Sequence, residues 1–276
     1  MTVLLSILSA LAYGCGDFTG GLATRRAPVL TVVIWSQVMG ALLIIAVQPL
    51  IGGEVSLHSW LWGAAAGLSG TAGIGFLYYG LARGLAAVVS PVSALIGAIL
   101  PVLFGLLLGE RPSPLAWIGG AFALAAVILL TVERTELKTH VWASLRAGLI
   151  SGLGFGGFFI LISRSGNNSG LLPLLGARLS SIPVMMLIAL MSRRPLALPQ
   201  GSRLWALGSG IIDMSANIFY LLAVRSGMII ITAAITALYP APTVLLQMLV
   251  FHERLGAVRI IGLLLALAGI VCISVG

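Results

Sequence analysis

Charged side chains are scarce in this chain of 276 residues, where Asp, Glu, Lys and Arg together make up only 8%. In soluble domains about a quarter of the residues are charged. Hydrophobic residues reach 59% here, and the mean hydropathy is +1.14. Because so few polar side chains are available to cover a water-exposed fold, the composition predicts a protein that crosses a membrane many times.

Lysine, cysteine and histidine are also rare, and each shortage excludes a class of chemistry. Lys138 is the one lysine and does not follow a glycine, so the chain lacks a phosphate-binding loop for ATP. Cys15 and Cys272 are the two cysteines, and their positions in apolar runs do not indicate a disulfide framework. The three histidines lie in predicted loops without metal-ligand spacing, and the Gly-x-Ser-x-Gly motif is absent. We therefore expect no enzyme, no metal site and no cofactor.

Apolar runs occupy most of the chain and are separated by short polar breaks. A membrane-spanning helix needs about 20 predominantly apolar residues. Ten such runs remain between breaks at residues 23–28, 52–58, 83–86, 110–114, 133–141, 164–170, 193–202, 225–228 and 252–257. The first run lacks the basic start of a signal peptide, so we interpret it as a retained helix. The sequence thus predicts an all-α protein with ten transmembrane helices.

The basic residues lie mainly in loops on one predicted side of the membrane. Of the 15 Arg and Lys residues, 11 lie in loops after odd-numbered predicted helices and three in loops after even-numbered ones. Cytoplasmic loops of membrane proteins are enriched in Lys and Arg. The distribution therefore predicts an inner-membrane protein with odd-numbered loops in the cytoplasm and both termini outside. It also accounts for the net charge of +8 without nucleic-acid binding.

A short motif occurs twice and marks an internal repeat. Gly109-Glu110-Arg111 returns 143 residues later as His252-Glu253-Arg254, and the same shift aligns Gly84 with Gly227. The front parts of the two copies align less well, at a shift near 138. A repeated unit of this length indicates a duplicated structural element.

Five predicted spans in each copy determine how the copies are related. Because five is odd, the second copy enters the membrane from the opposite side, and the two are inverted. Inverted repeats around a central cavity are typical of secondary transporters that work by alternating access. We predict two five-helix units, residues 1–133 and 141–276, around such a cavity.

Three ionisable side chains lie inside predicted spans, where charges are costly and usually functional. Asp17 in the first helix is a candidate to bind a substrate ammonium or a proton, or else to bond Arg25 or a neighbouring backbone. Arg178 in the seventh helix is a candidate to hold a carboxylate with two hydrogen bonds, or else to pair with Asp213 or to extend toward the lipid headgroups. Asp213 itself lies in the eighth helix.

The eighth helix carries a polar stripe. Asp213, Asn217 and Tyr220 are spaced i, i+4 and i+7, so they share one helix face. That face either lines a water-filled space or forms interhelical hydrogen bonds. Four further residues complete the predicted substrate site, and they supply polar or aromatic groups: Gln37, Tyr78, Tyr79 and Tyr239.

Prolines and glycines mark the helices expected to bend or pack closely. Proline removes a backbone hydrogen bond, and interrupted helices in both halves of a transporter indicate a gate or a binding site. The fourth and ninth helices carry such prolines at 91, 101, 240 and 242. Pairs of glycines four residues apart permit close helix contact, and they occur at 16 and 20, 63 and 67, 105 and 109, and 148 and 152.

Ten spans, two five-helix copies and the Leu108-Gly109-Glu110-Arg111 motif together resemble the EamA-type exporters of the drug/metabolite transporter superfamily. The resemblance covers almost the whole chain, and aromatic amino acid exporters are among the closer relatives. It implies a basket of inverted repeats around a cavity, with Glu110 and Glu253 as structural residues at helix ends. Family members are usually described with both termini in the cytoplasm, which is the reverse of the arginine distribution.

These observations lead to one hypothesis and two rivals. We expect a monomeric secondary exporter of small metabolites, most of all amino acids, in the lipid bilayer, with protons as the coupling ion. Uptake or exchange of nucleotide sugars or sugar phosphates is the rival within transport, although it requires several basic residues in the cavity. A membrane scaffold or passive pore is the rival outside transport.

Overall fold

Helices account for nearly all of the described chain. The structure is a computed structural model that describes residues 1–83, 86–131, 141–252 and 256–276. The helices are α1 (Thr2–Thr24), α2 (Val29–Ile51), α3 (Leu57–Arg83), α4 (Ala86–Leu107), α5 (Pro114–Thr131), α6 (Val141–Ser163), α7 (Leu172–Met191), α8 (Gln200–Ser226), α9 (Ile229–Thr236), α10 (Pro240–Phe251) and α11 (Ala257–Val275). The described residues contain no strand.

Nine segments of the described chain are long and apolar enough to cross a membrane, and one of them, residues 229–251, contains both α9 and α10. The remaining long helix, α3, has 27 residues, the same length as α8. Its many glycines, together with His58 and Trp62, lower its hydropathy below that of the other spans. With α3 the chain forms the ten spans that the sequence predicts.

The helix boundaries repeat with the spacing of the Glu-Arg motif. Helix α3 begins at 57 and α8 at 200, α4 begins at 86 and α9 at 229, and α5 begins at 114 and α11 at 257. Each of these pairs differs by 143 residues, and so do the starts of α2 and α7. Only α1 and α6 differ by 139. The register predicted for the back of the repeat therefore extends forward to the second helix.

Contacts between helices follow the same two-fold relationship. Helix α1 packs on α8 as α6 packs on α3, and α3 packs on α7 as α8 packs on α2. Helix α4 packs on α6, and correspondingly α9 and α10 pack on α1. The pairs α2 with α7 and α5 with α11 contact their own counterparts. The two repeats therefore interlock around an axis in the membrane plane.

Glycines form the closest of these contacts. A Cβ atom on Gly63 or Gly67 of α3 would collide with the carbonyl oxygen of Pro173 or Ala177 on α7. In α6, Gly152 meets the main chain of α4 in the same way. The predicted glycine pairs of α3 and α6 thus lie where backbones touch, as small residues do in membrane bundles.

The ninth span is broken near its middle. Helix α9 ends at Thr236, and α10 begins at Pro240, a first-turn position where proline is favourable. The three residues between them form a turn that ends at Tyr239. A break of this kind leaves polar backbone groups inside the span, which is tolerated only where protein or water satisfies them.

Successive spans place the loops on two faces of the bundle. The Glu110 face carries the loops at 52–56, 108–113, 164–171 and 227–228, and the Arg25 face carries those at 25–28 and 192–199. Contacts agree with this arrangement, because Glu54 N–H donates to the carbonyl oxygen of Asn168 at 2.8 Å on the first face. On the second face Arg26 donates to the carbonyl oxygen of Gly201 at 3.3 Å.

Candidate functional site

Helix α1 presents Tyr13 and Asp17 toward the interior of the bundle. The two residues are four apart and therefore share one helix face. On one side of that face Gly16 packs against the main chain of α8, and on the other Gly14 packs against Pro242 of α10. Tyr13 and Asp17 consequently lie in the sector between α8 and α10.

Asp17 is solvent-exposed although this sector is interior. Its carboxylate interacts electrostatically with that of Asp213 on α8. The phenols of Tyr78 and Tyr239 lie within electrostatic range of the same carboxylate. A water-accessible space between the repeats therefore contains an acid from α1 and aromatic groups from α3 and from the break in the ninth span.

Arg25 is the predicted alternative partner of Asp17. Its guanidinium carbon lies 4.2 Å from the ring centroid of Phe251, in a cation–π contact. Among the residues that the structure describes, Asp17 has neither an ion-pair nor a hydrogen-bond partner. The charge of Asp17 is therefore available to a ligand.

Arg178 and Asp213 form an ion pair between α7 and α8. Arg178 Nη2 donates to Asp213 Oδ2 at 2.8 Å, and the side chains are 11% and 39% exposed. Asn217 Nδ2 also donates to Asp213, to its carbonyl oxygen at 2.8 Å and to Oδ2 at 3.3 Å. Of the three roles predicted for Arg178, the ion pair with Asp213 is the contact present in the structure.

Gly40 of α2 lies beside this pair and packs closely on Met214. A Cβ on Gly40 would lie 3.5 Å from Arg178 Nε and 3.0 Å from the terminal methyl of Met214. Gln37, one turn earlier in α2, accepts a hydrogen bond from Ser181 of α7 and is buried. Gln37 therefore fastens α2 to α7 beside the pair.

Four aromatic rings connect the break in the ninth span to α8. Tyr239 and Tyr13 have ring centroids 6.3 Å apart, and Tyr13 and Phe159 are 6.1 Å apart, both edge to face. Phe159 and Tyr220 follow at 4.4 Å. Tyr220 is only 1% exposed, and its hydroxyl has no partner among the described residues. This row of rings runs from the break in the ninth span through α1 and α6 to α8.

Tyr79 is placed differently from Tyr78. Adjacent residues of a helix point in directions about 100° apart, because a turn takes 3.6 residues. Tyr79 is 51% exposed, and its ring packs edge to face against Phe76 at 6.5 Å. Tyr78 therefore takes part in the network around Asp17, whereas Tyr79 faces another direction.

The bundle is tightly packed toward the Glu110 face. One cluster of fully buried apolar residues joins the ends of α2, α6 and α8 to the start of α7, and it includes Ile44, Ile162, Leu171, Leu174 and Leu221. Gln48 Oε1 accepts from the main-chain N–H of Leu171 at 2.6 Å, and Arg225 donates to the carbonyl oxygen of Gly170 at 2.7 Å. The space around Asp17 is therefore closed on this side.

Glu110 adds a link across the repeats on the same face. Its two carboxylate oxygens accept the main-chain N–H groups of Ile229 and Ile230, at 2.8 and 3.0 Å. These are the first residues of α9, so the carboxylate caps a positive helix end. Its repeat counterpart Glu253 lies outside the described residues.

Two other cavities lie away from this site. An apolar one of about 230 Å³ lies between α4, α5, α9 and α11, where it is lined by Trp117 and Ile230 among others. A polar one of about 420 Å³ lies on the Glu110 face, beside Glu54, His58 and Asn167. Neither includes a residue of the predicted substrate site.

Comparison with known proteins identifies the family. The model of the EamA-like transporter family matches residues 1–132 and 142–275. The chain belongs to this family. It is an EamA-like membrane transporter within the drug/metabolite transporter superfamily, as its motif and repeat predict.

Two individual proteins are similar to this EamA-like chain. A protein of Synechocystis sp. (strain ATCC 27184 / PCC 6803 / Kazusa), described as an uncharacterized transporter, is 26% identical over 156 residues. That match covers 54% of this chain and about half, 47%, of the relative. A solved crystal structure superimposes with a TM-score of 0.84 at 17% identity, over 99% of this chain and 96% of the other. The superposition shows that the two share a fold.

Tyr13 and Phe159 are the residues of this EamA-like site that the sequence did not identify. Tyr13 had a detectable signal, since it lies one helical turn before Asp17. Phe159 had none, because an aromatic residue in an apolar span is ordinarily packing. The described residues contain no group of three or more His, Cys, Asp or Glu side chains that would hold a metal ion.

Proposed function

We propose that this EamA-like protein is a secondary transporter that exports small amine-bearing metabolites, with amino acids as the first candidates. One observation carries the proposal: the Asp17 carboxylate is exposed inside the bundle, between the two repeats, and lacks a partner among the described residues. An unpaired charge at this depth is costly unless a ligand or an ion uses it. Tyr13, Tyr78 and Tyr239 supply rings beside it.

Alternating access follows from the interlocked repeats. The described conformation is packed on the Glu110 face, while Asp17 lies about 10 Å from the Arg25 face, seven residues before the end of α1. Exchange of the two repeat conformations would close the Arg25 face and open the other, as in other inverted-repeat transporters. The break between α9 and α10 provides a hinge within the bundle.

The loop charges favour an orientation with the Arg25 face in the cytoplasm. In the sequence, eleven basic residues lie in or beside the predicted odd-numbered loops, and the described loops of that set lie on the Arg25 face. Substrate enters from the cytoplasm in the described conformation and leaves at the Glu110 face. The proposal includes termini outside the cell, proton coupling, a monomer, and a division into units at 1–133 and 141–276.

Nucleotide sugars and sugar phosphates fit this site poorly. Their phosphates require basic groups, since guanidinium and ammonium ions are the usual phosphate ligands. Arg178 is the one basic residue of the described site, and Asp213 already occupies it. Asp17 and Asp213 would repel a phosphate. The scaffold alternative gives no role to an exposed carboxylate inside the bundle.

Transport is tested with purified protein in liposomes. Labelled amino acids are loaded against an imposed proton gradient, and saturable flux is compared between wild type, Asp17→Asn and Glu54→Gln. We expect flux that Asp17→Asn abolishes and that Glu54→Gln leaves unchanged, because Glu54 lies in a loop outside the bundle interior. Absence of gradient-dependent flux for every amino acid and amine offered would refute the proposal.

A further inference from the structure

The water-accessible space around Asp17 contains more negative than positive charges. Its ionisable residues are Asp17, Arg178 and Asp213, of which Arg178 and Asp213 form an ion pair at 2.8 Å. Asp17 has no such partner in the described part of the chain. The described site therefore has a formal charge of −1, and that charge is on Asp17.

This imbalance discriminates between ligands of different charge. An ammonium compound without a carboxylate brings the charge of the site to zero. A zwitterionic amino acid leaves it at −1, and its carboxylate finds the guanidinium of Arg178 already paired. An organic anion brings the formal charge of the site to −2. Each uncompensated charge that a ligand brings into the interior of the bundle carries a desolvation cost that a partner must offset.

Arg178 is not readily released to a substrate carboxylate. Asp213 is held by Arg178 and also by Asn217 Nδ2 at 3.3 Å. A substrate carboxylate that displaced Asp213 would leave another carboxylate unpaired, so the exchange gains no ion pair. The pair therefore shapes the site, and Asp17 is the group left to recognise a ligand.

The surroundings of Asp17 suit an organic cation. The phenols of Tyr78 and Tyr239 lie within electrostatic range of Asp17, and the ring of Tyr13 lies one turn away on α1. Aromatic faces attract ammonium groups and also pack against aromatic ligands. A ligand with an ammonium group and one ring matches both features.

We propose that Asp17 is the ammonium-binding residue of this transporter and that the site prefers monocationic aromatic amines to the corresponding zwitterionic amino acids, and excludes organic anions. The inference rests on the proposed transport function for its biological meaning, but binding tests it independently. It assigns specificity to the ammonium end of the substrate and gives the carboxylate end no role.

Three compounds with the same ring and chain separate the possibilities: phenylethylamine is a cation, phenylalanine a zwitterion and 3-phenylpropionate an anion. Their binding to the full-length protein in detergent is measured by isothermal titration calorimetry. We expect phenylethylamine to bind at least about tenfold more tightly than phenylalanine, since the unpaired carboxylate of phenylalanine carries a desolvation cost of about that size. No binding of 3-phenylpropionate is expected. Equal or tighter binding of phenylalanine would overturn the inference.

Variants connect the preference to Asp17. Asp17→Asn should lower the affinity for phenylethylamine by about tenfold or more, and Asp17→Glu should retain part of it. Glu54→Gln, the same chemical change in a loop, should have no effect. Unchanged amine affinity in Asp17→Asn would overturn the assignment. Circular dichroism and monodisperse elution establish that each variant is folded. If Asp17→Asn is not folded, the affinity of Asp17→Glu for phenylethylamine is the test of the assignment.

Flux separates this inference from the proposed function. If liposomes transport phenylalanine but the protein shows no preference for phenylethylamine, the inference is wrong and the transport proposal stands. If phenylethylamine binds through Asp17 but no compound is transported, the transport proposal fails and the binding site stands.

Discussion

Glu110 Oε1 accepts the main-chain N–H of Ile229 at 2.8 Å, so the glutamate of the motif that follows α4 in one repeat caps the ninth span in the other repeat. The geometry depends on the end of α4. Gly109 has φ +84°, a conformation that glycine adopts without strain. Gly105 leaves room for the carboxylate, because a Cβ there would lie 2.7 Å from Glu110 Oε2. The motif therefore works as a tie between repeats.

Removal of this tie should destabilise the protein. Glu110→Ala deletes both hydrogen bonds to Ile229 and Ile230 and the favourable charge at a helix N-terminus, at a cost of about 1–3 kcal/mol. Glu110→Gln keeps one acceptor and should cost less. Thermal unfolding in detergent, followed by circular dichroism, measures the effect.

Glu54→Gln is the control for that experiment, since Glu54 is exposed and its structural bond uses the main chain. It should unfold at the wild-type temperature. If Glu110→Ala also unfolds there, the cap contributes nothing to stability and the motif has another role.

Two glycines of α3 should respond in opposite ways to alanine. A methyl group on Gly67 would collide with the carbonyl oxygen of Ala177, whereas Gly75 has nothing within 4 Å. Gly67→Ala should therefore destabilise by about 1–3 kcal/mol through overpacking. Gly75→Ala should be neutral or stabilising by up to about 1 kcal/mol, because alanine favours the helix.

Thermal unfolding of the two variants under one detergent condition makes this comparison. Both changes add the same methyl group to the same helix, so helix propensity alone predicts that both change the stability in the same direction. Equal stabilisation by both would mean that α3 and α7 do not touch at Gly67.

Much of the fold was predictable because membrane helices follow simple rules of length and polarity. The polar breaks predicted at 52–58 and 164–170 coincide with observed loops at 52–56 and 164–171. The repeat was also detectable, since Glu110 and Glu253 retain the register. Pro240 indicated an interruption, and the ninth span is broken before it. The same expectation was wrong for the fourth helix, because α4 is continuous through Pro91 and Pro101.

The site was less predictable, because it depends on which faces of different helices meet. The sequence identified Asp17, Arg178 and Asp213 by their cost in a membrane. It left three roles open for Arg178, and only the structure shows the ion pair with Asp213. Phe159 could not be distinguished from packing residues, since its place beneath Tyr13 arises from tertiary contacts.

The ion pair of Arg178 and Asp213 should behave as a unit. Arg178→Gln leaves an uncompensated carboxylate, and Asp213→Asn leaves an uncompensated guanidinium, so each single change should destabilise the protein. The double variant removes both charges and should recover part of the loss, with a coupling energy of about 0.5–3 kcal/mol. Unfolding in detergent gives the four stabilities of the cycle. Additive losses would show that the two side chains do not interact in the membrane.

Labelling of exposed loop residues should show which face is cytoplasmic. Ser192 and Asn167 are both exposed, on the Arg25 face and the Glu110 face respectively. Each is replaced singly by cysteine in a background where Cys15 and Cys272 are serine, and neither replacement alters a charge. Because Arg and Lys are concentrated in cytoplasmic loops, a membrane-impermeant maleimide should label Asn167→Cys in intact cells. It should label Ser192→Cys only after the cells are permeabilised. The reverse pattern would place the Arg25 face outside the cell and would contradict the predicted orientation.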